Sequence, residues 1–241
     1  MRLSRFFVNT PLTLGDIELP EQIAHYMGRV LRLPAGAEVQ LFDGSGFEFL
    51  GLISEITKKR LTVTLTEQIA GLPESPLHTH LGQGLARGEK MDFVIQKATE
   101  LGVNEITPLV TERCEVRLSD ERADKRLLHW QQVAISACEQ SGRTKIPVIH
   151  APIALDDWLV HVQADLKLML HPMAESIESY TKPSSLALLI GPEGGFSDNE
   201  IAKAKQQAFQ SIRLGHRVLR TETAPIVALT LAQQLWGDFS A

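Results

Sequence analysis

The stretch from Leu186 to Ala224 constrains this chain most, because two apolar runs in it each end in a glycine-marked polar loop that leads into a helix. The first run, Leu186-Ala187-Leu188-Leu189-Ile190, breaks into Gly191-Pro192-Glu193-Gly194-Gly195-Phe196 and then Ser197-Asp198-Asn199-Glu200. The second, Ile212-Arg213-Leu214-Gly215, continues as His216-Arg217-Val218-Leu219-Arg220-Thr221-Glu222-Thr223-Ala224-Pro225. Short apolar runs such as the first, and the Ile212 to Leu214 run despite Arg213, read as buried strands, the pattern of a parallel sheet covered by helices. In open sheets of that kind, ligands bind where strand ends feed such loops.

The surrounding texture agrees. Strands are predicted at Leu81 to Ala86, Ile106 to Val110, Pro147 to His150, Leu166 to Leu170, Leu186 to Ile190 and Ile212 to Leu214. Helices are predicted between them: one with Met91, Val94, Ile95, Ala98 and Leu101 on one face, a long one from Asp120 to Gln140, and others at Leu155 to His161, Asp198 to Phe209 and Ala224 to Trp236. This alternation predicts an α/β fold with a mainly parallel sheet. Residues 1–70 read differently. Phe6-Phe7-Val8 and Glu38 to Phe42 are short strands, Pro20 to Leu31 has helical spacing, and Phe47 to Ile56 with Leu61 to Glu67 flank the turn Thr57-Lys58-Lys59-Arg60. A small β-barrel module is expected there. Gly71-Leu72-Pro73-Glu74-Ser75-Pro76 is the best linker, so the domains are expected at 1–70 and 79–241 with 71–78 between them.

The first glycine loop is neither a Walker A loop, for want of Gly-Lys-Ser/Thr, nor a GxGxxG dinucleotide fingerprint. Ser197 and Glu200 fit a capping box at the start of the next helix. Alone, this loop could be an ordinary tight β–α turn. The second loop is longer than a plain connection needs, with Thr221 or Thr223 available to cap the following helix and Pro225 in its first turn. A third strand end, Leu168-Met169-Leu170-His171-Pro172, also breaks into polar residues. Together they suggest adjacent ligand loops.

A formal charge of −5 gives no global sign of a nucleic-acid partner, although net charge says little about a local patch. Arginines are grouped at Arg2, Arg5, Arg29 and Arg32 and again at Arg213, Arg217 and Arg220, while Lys58-Lys59-Arg60 suits a solvated turn. Two cysteines, Cys114 and Cys138, make neither a disulfide framework nor a metal pair. His78, His80, His129 and His150 show no ligand spacing, so no metal is expected. No run approaches the roughly 18 apolar residues of a membrane span, and a cytoplasmic location is expected.

Gly191-Pro192-Glu193-Gly194-Gly195-Phe196-Ser197 and Leu214-Gly215-His216-Arg217-Val218-Leu219-Arg220-Thr221-Glu222-Thr223-Ala224 resemble the signature loops of the RsmE family. The resemblance extends over essentially the whole chain, through Arg5-Phe6-Phe7-Val8, His25 to Leu33, Leu41-Phe42-Asp43-Gly44, Lys97 to Val103, Thr111-Glu112-Arg113 and Glu139 to Arg143. It implies a SPOUT-class catalytic domain with a C-terminal trefoil knot, a PUA-like RNA-binding barrel at the N-terminus and a homodimer. It also implies S-adenosylmethionine-dependent methylation of N3 of a uridine in 16S, small-subunit ribosomal RNA, within the small ribosomal subunit.

By the same resemblance the cofactor loops map to Leu170 and His171, to Ile190, Gly191, Pro192, Glu193, Gly194 and Gly195, and to Leu214, Gly215, Leu219, Thr221 and Ala224. Uridine N3 must lose a proton before it attacks, so the site needs a base or a cationic environment for the uridine anion. Arg220 is the preferred electrostatic partner and Arg113 the second. Glu222 and Glu100 are candidate proton acceptors, with Glu193 a further one, although Glu222 could merely anchor its loop and Glu100 could pair with Lys97. Arg5, Arg29 and Arg32 are expected to contact phosphate from the small module, and Arg143 and Lys145 from the catalytic domain. The alternatives are a non-catalytic ribosomal RNA binder, or a methyltransferase of the same fold acting on another nucleotide or on ribose 2′-OH.

Overall fold

The structure is a computed structural model that describes residues 3–57, 60–116, 120–174 and 181–239; Arg2, Lys58 and Lys59, included in the charge groupings above, lie outside them. Its contacts divide the chain into two units, Met1–Glu74 with Cys138–Ile146, and Ser75–Ala137 with Pro147–Ala241. The boundary at Glu74 falls inside the proline-rich stretch. The return of 138–146 to the first unit was not expected from the sequence, and it places Arg143 and Lys145 there rather than in the second unit.

The first unit is a mixed sheet of β1 (Ser4–Phe7), β2 (Gly15–Glu18), β3 (Glu38–Phe42), β4 (Phe47–Ile56) and β5 (Leu61–Ala70), in the order β1-β3-β4-β5-β2. The alternation seen in β5 buries Leu61, Val63 and Leu65 against Phe6, Val39, Leu41, Phe49 and Ile53. The register of β4 on β5 shifts at Leu50/Gly51, where a side chain could not fit: an added Cβ on Gly51 would lie 2.5 Å from the Thr64 carbonyl oxygen. The helix expected from Pro20 to Leu31 is only α1 (Glu21–His25), followed by a π-helical turn at Tyr26–Val30. Of the expected apolar face only Met27 is fully buried, while Val30 and Leu31 are exposed, so no continuous stripe holds a regular helix on this core.

Residues 138–146 are held in this unit by Arg5. Its guanidinium donates to the Glu48 carboxylate and to the carbonyls of Cys138 (2.7 Å), Glu139 (3.0 Å), Gly142 (3.1 Å) and Arg143 (3.1 Å). These carbonyls lie at and just beyond the C-terminal end of a helix, where they lack intrahelical donors and a cation is favoured. Gly71 also packs here, since an added Cβ would meet Thr144 at 2.3 Å.

The second unit comprises β6 (His78–Gly84), α2 (Lys90–Glu100), β7 (Glu105–Val110), α3 (Asp120–Ser141, its last residues counted with the first unit), β8 (Val148–Ile149), β9 (Ile153–Ala154), α4 (Leu155–His161), β10 (Leu166–Leu170), β11 (Ser185–Ile190), α5 (Asp198–Gln206), β12 (Gln210–Ile212) and α6 (Ala224–Trp236). The strands run parallel in the order β12-β10-β11-β6-β7-β8, with β9 also on β7. The central strand β11 is apolar and buried from Leu186 to Ile190 because both faces are covered, whereas its neighbour β6 carries His78, His80 and Gln83. Trp158 of α4 packs against the strand at Gly82, where an added Cβ would lie 2.5 Å from the indole ring.

Candidate active site

Parallel register puts every strand's C-terminal end on one edge of this sheet. Ile190 pairs with Gln83, Gly84 with Leu109, and Leu170 with Ile212. The loops after β6, β7, β10, β11 and β12 therefore emerge side by side, and among them is a cavity of about 560 Å³. That volume is in the roughly 300–1,000 Å³ range of small-molecule sites.

The walls follow from close backbone packing. An added Cβ on Gly84 would lie 2.5 Å from the Pro192 nitrogen, and one on Gly194 would lie 2.9 Å from the Arg113 Cβ. Gly195 holds a φ of +66°, a left-handed conformation that suits glycine, and its N–H closes a turn on the Pro192 carbonyl at 2.9 Å. Thr221 and Thr223 do not cap α6 with their side chains. The Thr221 hydroxyl instead donates to the Gly191 carbonyl (2.7 Å) and accepts from the Gln83 amide (3.0 Å), joining the second loop to the first. The capping box at the start of α5 is present, with Ser197 accepting from the Glu200 N–H (3.2 Å) and Glu200 from the Ser197 N–H (2.8 Å). The other Glu200 oxygen accepts from the Glu112 N–H at 2.8 Å, which ties the end of β7 to the same helix start.

Every residue expected on the cofactor side lines the cavity except Gly215, which forms a left-handed turn (φ +73°) next to it. Arg220 and Arg113 also line it, and Arg113 Nη1 donates to the Gly194 carbonyl at 3.2 Å. Glu100 does not; its carboxylate pairs with Lys97 Nζ at 2.8 Å along α2. Lys90 was missed in the sequence, and it lies on the wall with Nζ 2.8 Å from Glu193 and 3.6 Å from Glu222. Its signal was indirect: it opens the helix after β6, the strand that pairs with β11. The hydrogen bond to Glu193 lifts Lys90 above the usual lysine range. Burial pushes the Glu193 carboxyl up, but the Lys90 ammonium and backbone N–H bonds outweigh it and hold the group below the usual carboxylate range. Arg213, Arg217 and Val218 line the cavity as well. His171 is on the wall with Nδ1 accepting from the Met173 N–H at 3.3 Å.

The residues expected to touch phosphate separate into two groups. Arg29, Arg32 and Lys145 are exposed. Arg5 is 9% exposed and its guanidinium is taken up by Glu48 and four carbonyls, so the expectation that it contacts RNA is corrected. Arg143 is equally buried and ion-paired with Glu74.

Glycine loops meeting in a cavity at one edge of a parallel sheet define an α/β ligand-binding enzyme domain. The family model described as an RNA methyltransferase domain matches residues 73–233, and that described as an RNA methyltransferase PUA domain matches residues 19–66. The chain is 39% identical to ribosomal RNA small subunit methyltransferase E of Buchnera aphidicola (subsp. Schizaphis graminum) over 99% of both sequences, and 36% identical to that of the Acyrthosiphon pisum subspecies over 99% of this chain and 96% of the other. The crystal structure of the corresponding enzyme of Neisseria gonorrhoeae bound to S-adenosylmethionine superposes with a TM-score of 0.92 at 37% identity, covering 99% of this chain and all of that one. A Legionella pneumophila protein in complex with S-adenosylmethionine superposes with a TM-score of 0.96 at 40% identity, with coverage of 99% and 100%. The chain belongs to the ribosomal RNA small subunit methyltransferase E family.

Proposed function

We propose that the protein binds S-adenosylmethionine in the cavity between its strand-end loops and methylates N3 of a uridine in 16S ribosomal RNA of the small subunit. The observation that carries this reading is the convergence of three loops on one cavity with Arg220 and Arg113 on its wall. The residues suit that cofactor. Leu170, Ile190, Leu214, Leu219 and Ala224 offer apolar surface for an adenine ring, while Gly191, Gly194 and Gly195 allow backbone to approach closely. The cofactor supplies a methyl group already activated on a sulfonium, so the protein chiefly aligns the acceptor and manages its proton.

Arg220 is exposed, and its side chain has no hydrogen-bond or ion-pair partner among the described residues; it stabilises the uridine anion that forms when N3 is deprotonated. Arg113, held by the Gly194 carbonyl, serves as the second cation. Glu193 is a weak base because Lys90 holds it ionised. Glu222 is the other candidate proton acceptor: it lies beside the cavity wall, its buried Oε2 has no hydrogen-bond partner, and that oxygen is 3.6 Å from the same ammonium. Glu100 takes no part. Arg29, Arg32 and Lys145 supply phosphate contacts that weaken with salt. The segment from Leu214 to Ala224 forms part of a trefoil knot, and a homodimer assembles on the apolar face marked by exposed Leu231 and Leu235. The protein works in the cytoplasm; no helix among the described residues is long and apolar enough to cross a membrane.

The test is methyl transfer to under-methylated small ribosomal subunits and to naked ribosomal RNA, with mass analysis of the nucleosides. The expected product is 3-methyluridine. A 2′-O-methyl product would refute the N3 assignment, and failure to bind S-adenosylmethionine would leave only an RNA-binding protein.

A further inference from the structure

The opposite edge of the same parallel sheet, where the strands begin, gathers side chains that the sequence keeps far apart. His80 of β6 is registered with Glu105 of β7, Glu105 with Val148 of β8, and His150 follows β8 with its N–H on the Ile106 carbonyl at 2.9 Å. His78, Glu105 and His150 thus join His80 on one face of three neighbouring strands. Glu105 Oε2 lies 2.7 Å from His150 Nε2 and 3.9 Å from His80 Nδ1, and its Oε1 lies 3.5 Å from His78 Nε2. One ligand atom from each of His80, Glu105 and His150 falls within 4.8 Å of the others.

We propose that His80, Glu105 and His150 form a binding site for a divalent transition metal of the zinc type, with His78 or water as the fourth ligand. Two imidazoles and a carboxylate are borderline donors that suit zinc, cobalt(II) or nickel(II) better than magnesium or calcium. Ligands at about 2.0–2.2 Å from a tetrahedral ion stand on the order of 3.4 Å apart. The observed separations of 2.7 and 3.9 Å bracket that value, so small side-chain rotations complete the site. The side chains of Glu105 and His150 are 28% and 39% exposed, which leaves an entry route from solvent.

The far side of His80 is braced, as metal-binding histidines usually are. Its Nε2 lies 2.8 Å from the Thr107 hydroxyl, the contact that braces a metal-bound ring, and also accepts from the Trp158 indole N–H at 3.3 Å. A metal on Nδ1 takes that lone pair, so the imidazole proton must sit on Nε2 and be donated to Thr107 Oγ1. The indole N–H then gives up its contact with Nε2. The ion would therefore act as a staple across β6, β7 and β8, at the other end of the strands from the cavity.

Tag-free protein stripped with chelator and titrated with cobalt(II) tests this. The expected result is visible d–d absorption of a nitrogen- and oxygen-ligated tetrahedral centre, displaced by zinc, with a Kd of about 1 μM or tighter, equivalent to roughly 8 kcal/mol. Glu105→Gln and His150→Asn should each weaken binding at least tenfold, and zinc should raise Tm in the parent protein but not in these variants. Circular dichroism of the metal-free variants checks that they fold. No d–d band, a thiolate charge-transfer band assigning the ion to cysteine, or affinity unchanged in both variants would each overturn the site and leave an ion-pair cluster only. Cofactor binding and methyl transfer are not the readout, so this result stands apart from the proposed activity.

Discussion

Arg5 and Arg220 look alike in the sequence, each a basic residue between an apolar and a hydroxyl neighbour, yet the two regions around them place the guanidinium in opposite settings. Around Arg5 every available direction is filled: a carboxylate, four helix-end and loop carbonyls, and the face of Phe42 at 4.8 Å. Around Arg220 the backbone is fixed, with its carbonyl accepting from Thr223 and Ala224 at 2.9 and 3.0 Å, while the side chain lines open space. The first arrangement is structural because desolvated charge must be matched group by group. The second leaves a cation facing the cavity, and the proposed function uses that charge to stabilise the uridine anion.

The contrast is broken most severely at Arg5. Arg5→Ala leaves the buried Glu48 carboxylate without a countercharge, with only the Gln40 amide as partner, and should destabilise the first unit by about 3–5 kcal/mol in chemical denaturation. Arg5→Met combined with Glu48→Leu should recover much of that loss; if the double variant is no better than the single, the stranded Glu48 charge is not its source, and the lost bonds to the 138–146 carbonyls are. Arg220→Ala should leave the denaturation midpoint unchanged while lowering kcat by about 10²–10³-fold, or 2.7–4 kcal/mol. A loss of stability without a loss of kcat would reverse the roles assigned to the two arginines.

Next comes the backbone that frames the cavity. Gly195→Val forces a β-branched residue into a left-handed φ of +66°, where nothing lies within 4 Å of the added Cβ. Strain rather than collision is therefore the cause, costing about 1–3 kcal/mol. Gly84→Ala meets the Pro192 backbone at 2.5 Å and must move the loop itself. Both should weaken S-adenosylmethionine binding by roughly 10- to 100-fold in calorimetry. The Arg5 substitution, once allowance is made for unfolded protein, should not.

Much of this was legible because strand ends announce themselves. The apolar runs gave β10 and β11 nearly to the residue, and Leu155–His161 and Ala224–Trp236 are helical over the ranges that periodicity predicts. What stayed hidden depends on partners distant in sequence. Arg5 and Gly142 are 137 residues apart, so nothing near Arg5 tells a phosphate contact from a helix-end clamp. His80 and His150 stack at 5.4 Å only because β8 lies beside β7. Lys90 became visible as a cavity residue once the strand order placed β6 next to β11. The expected Thr221 cap failed for a related reason: its hydroxyl finds Gly191 across the sheet edge before it can turn back on its own helix.

The smallest effect separates the scaffold of the cavity from its chemistry. Glu200 is 3% exposed and accepts from two backbone N–H groups, Ser197 in its own helix cap and Glu112 beyond β7. Glu200→Gln keeps the shape but exchanges one acceptor oxygen for an N–H₂ donor, which cannot satisfy both amides. With a cap worth about 1 kcal/mol and a second charge-assisted bond weakened, the loss should be about 1–2 kcal/mol. For a unit of this size that is a fall in Tm of a few degrees. Because Glu112 and Ser197 sit just before Arg113 and just after Gly195 in the chain, the variant should also loosen cofactor binding a few-fold while leaving kcat at saturating cofactor near the parent value. A drop in kcat as large as that of Arg220→Ala would instead place Glu200 in the reaction, and the division between residues that hold the loops and residues that face the substrate would have to be redrawn.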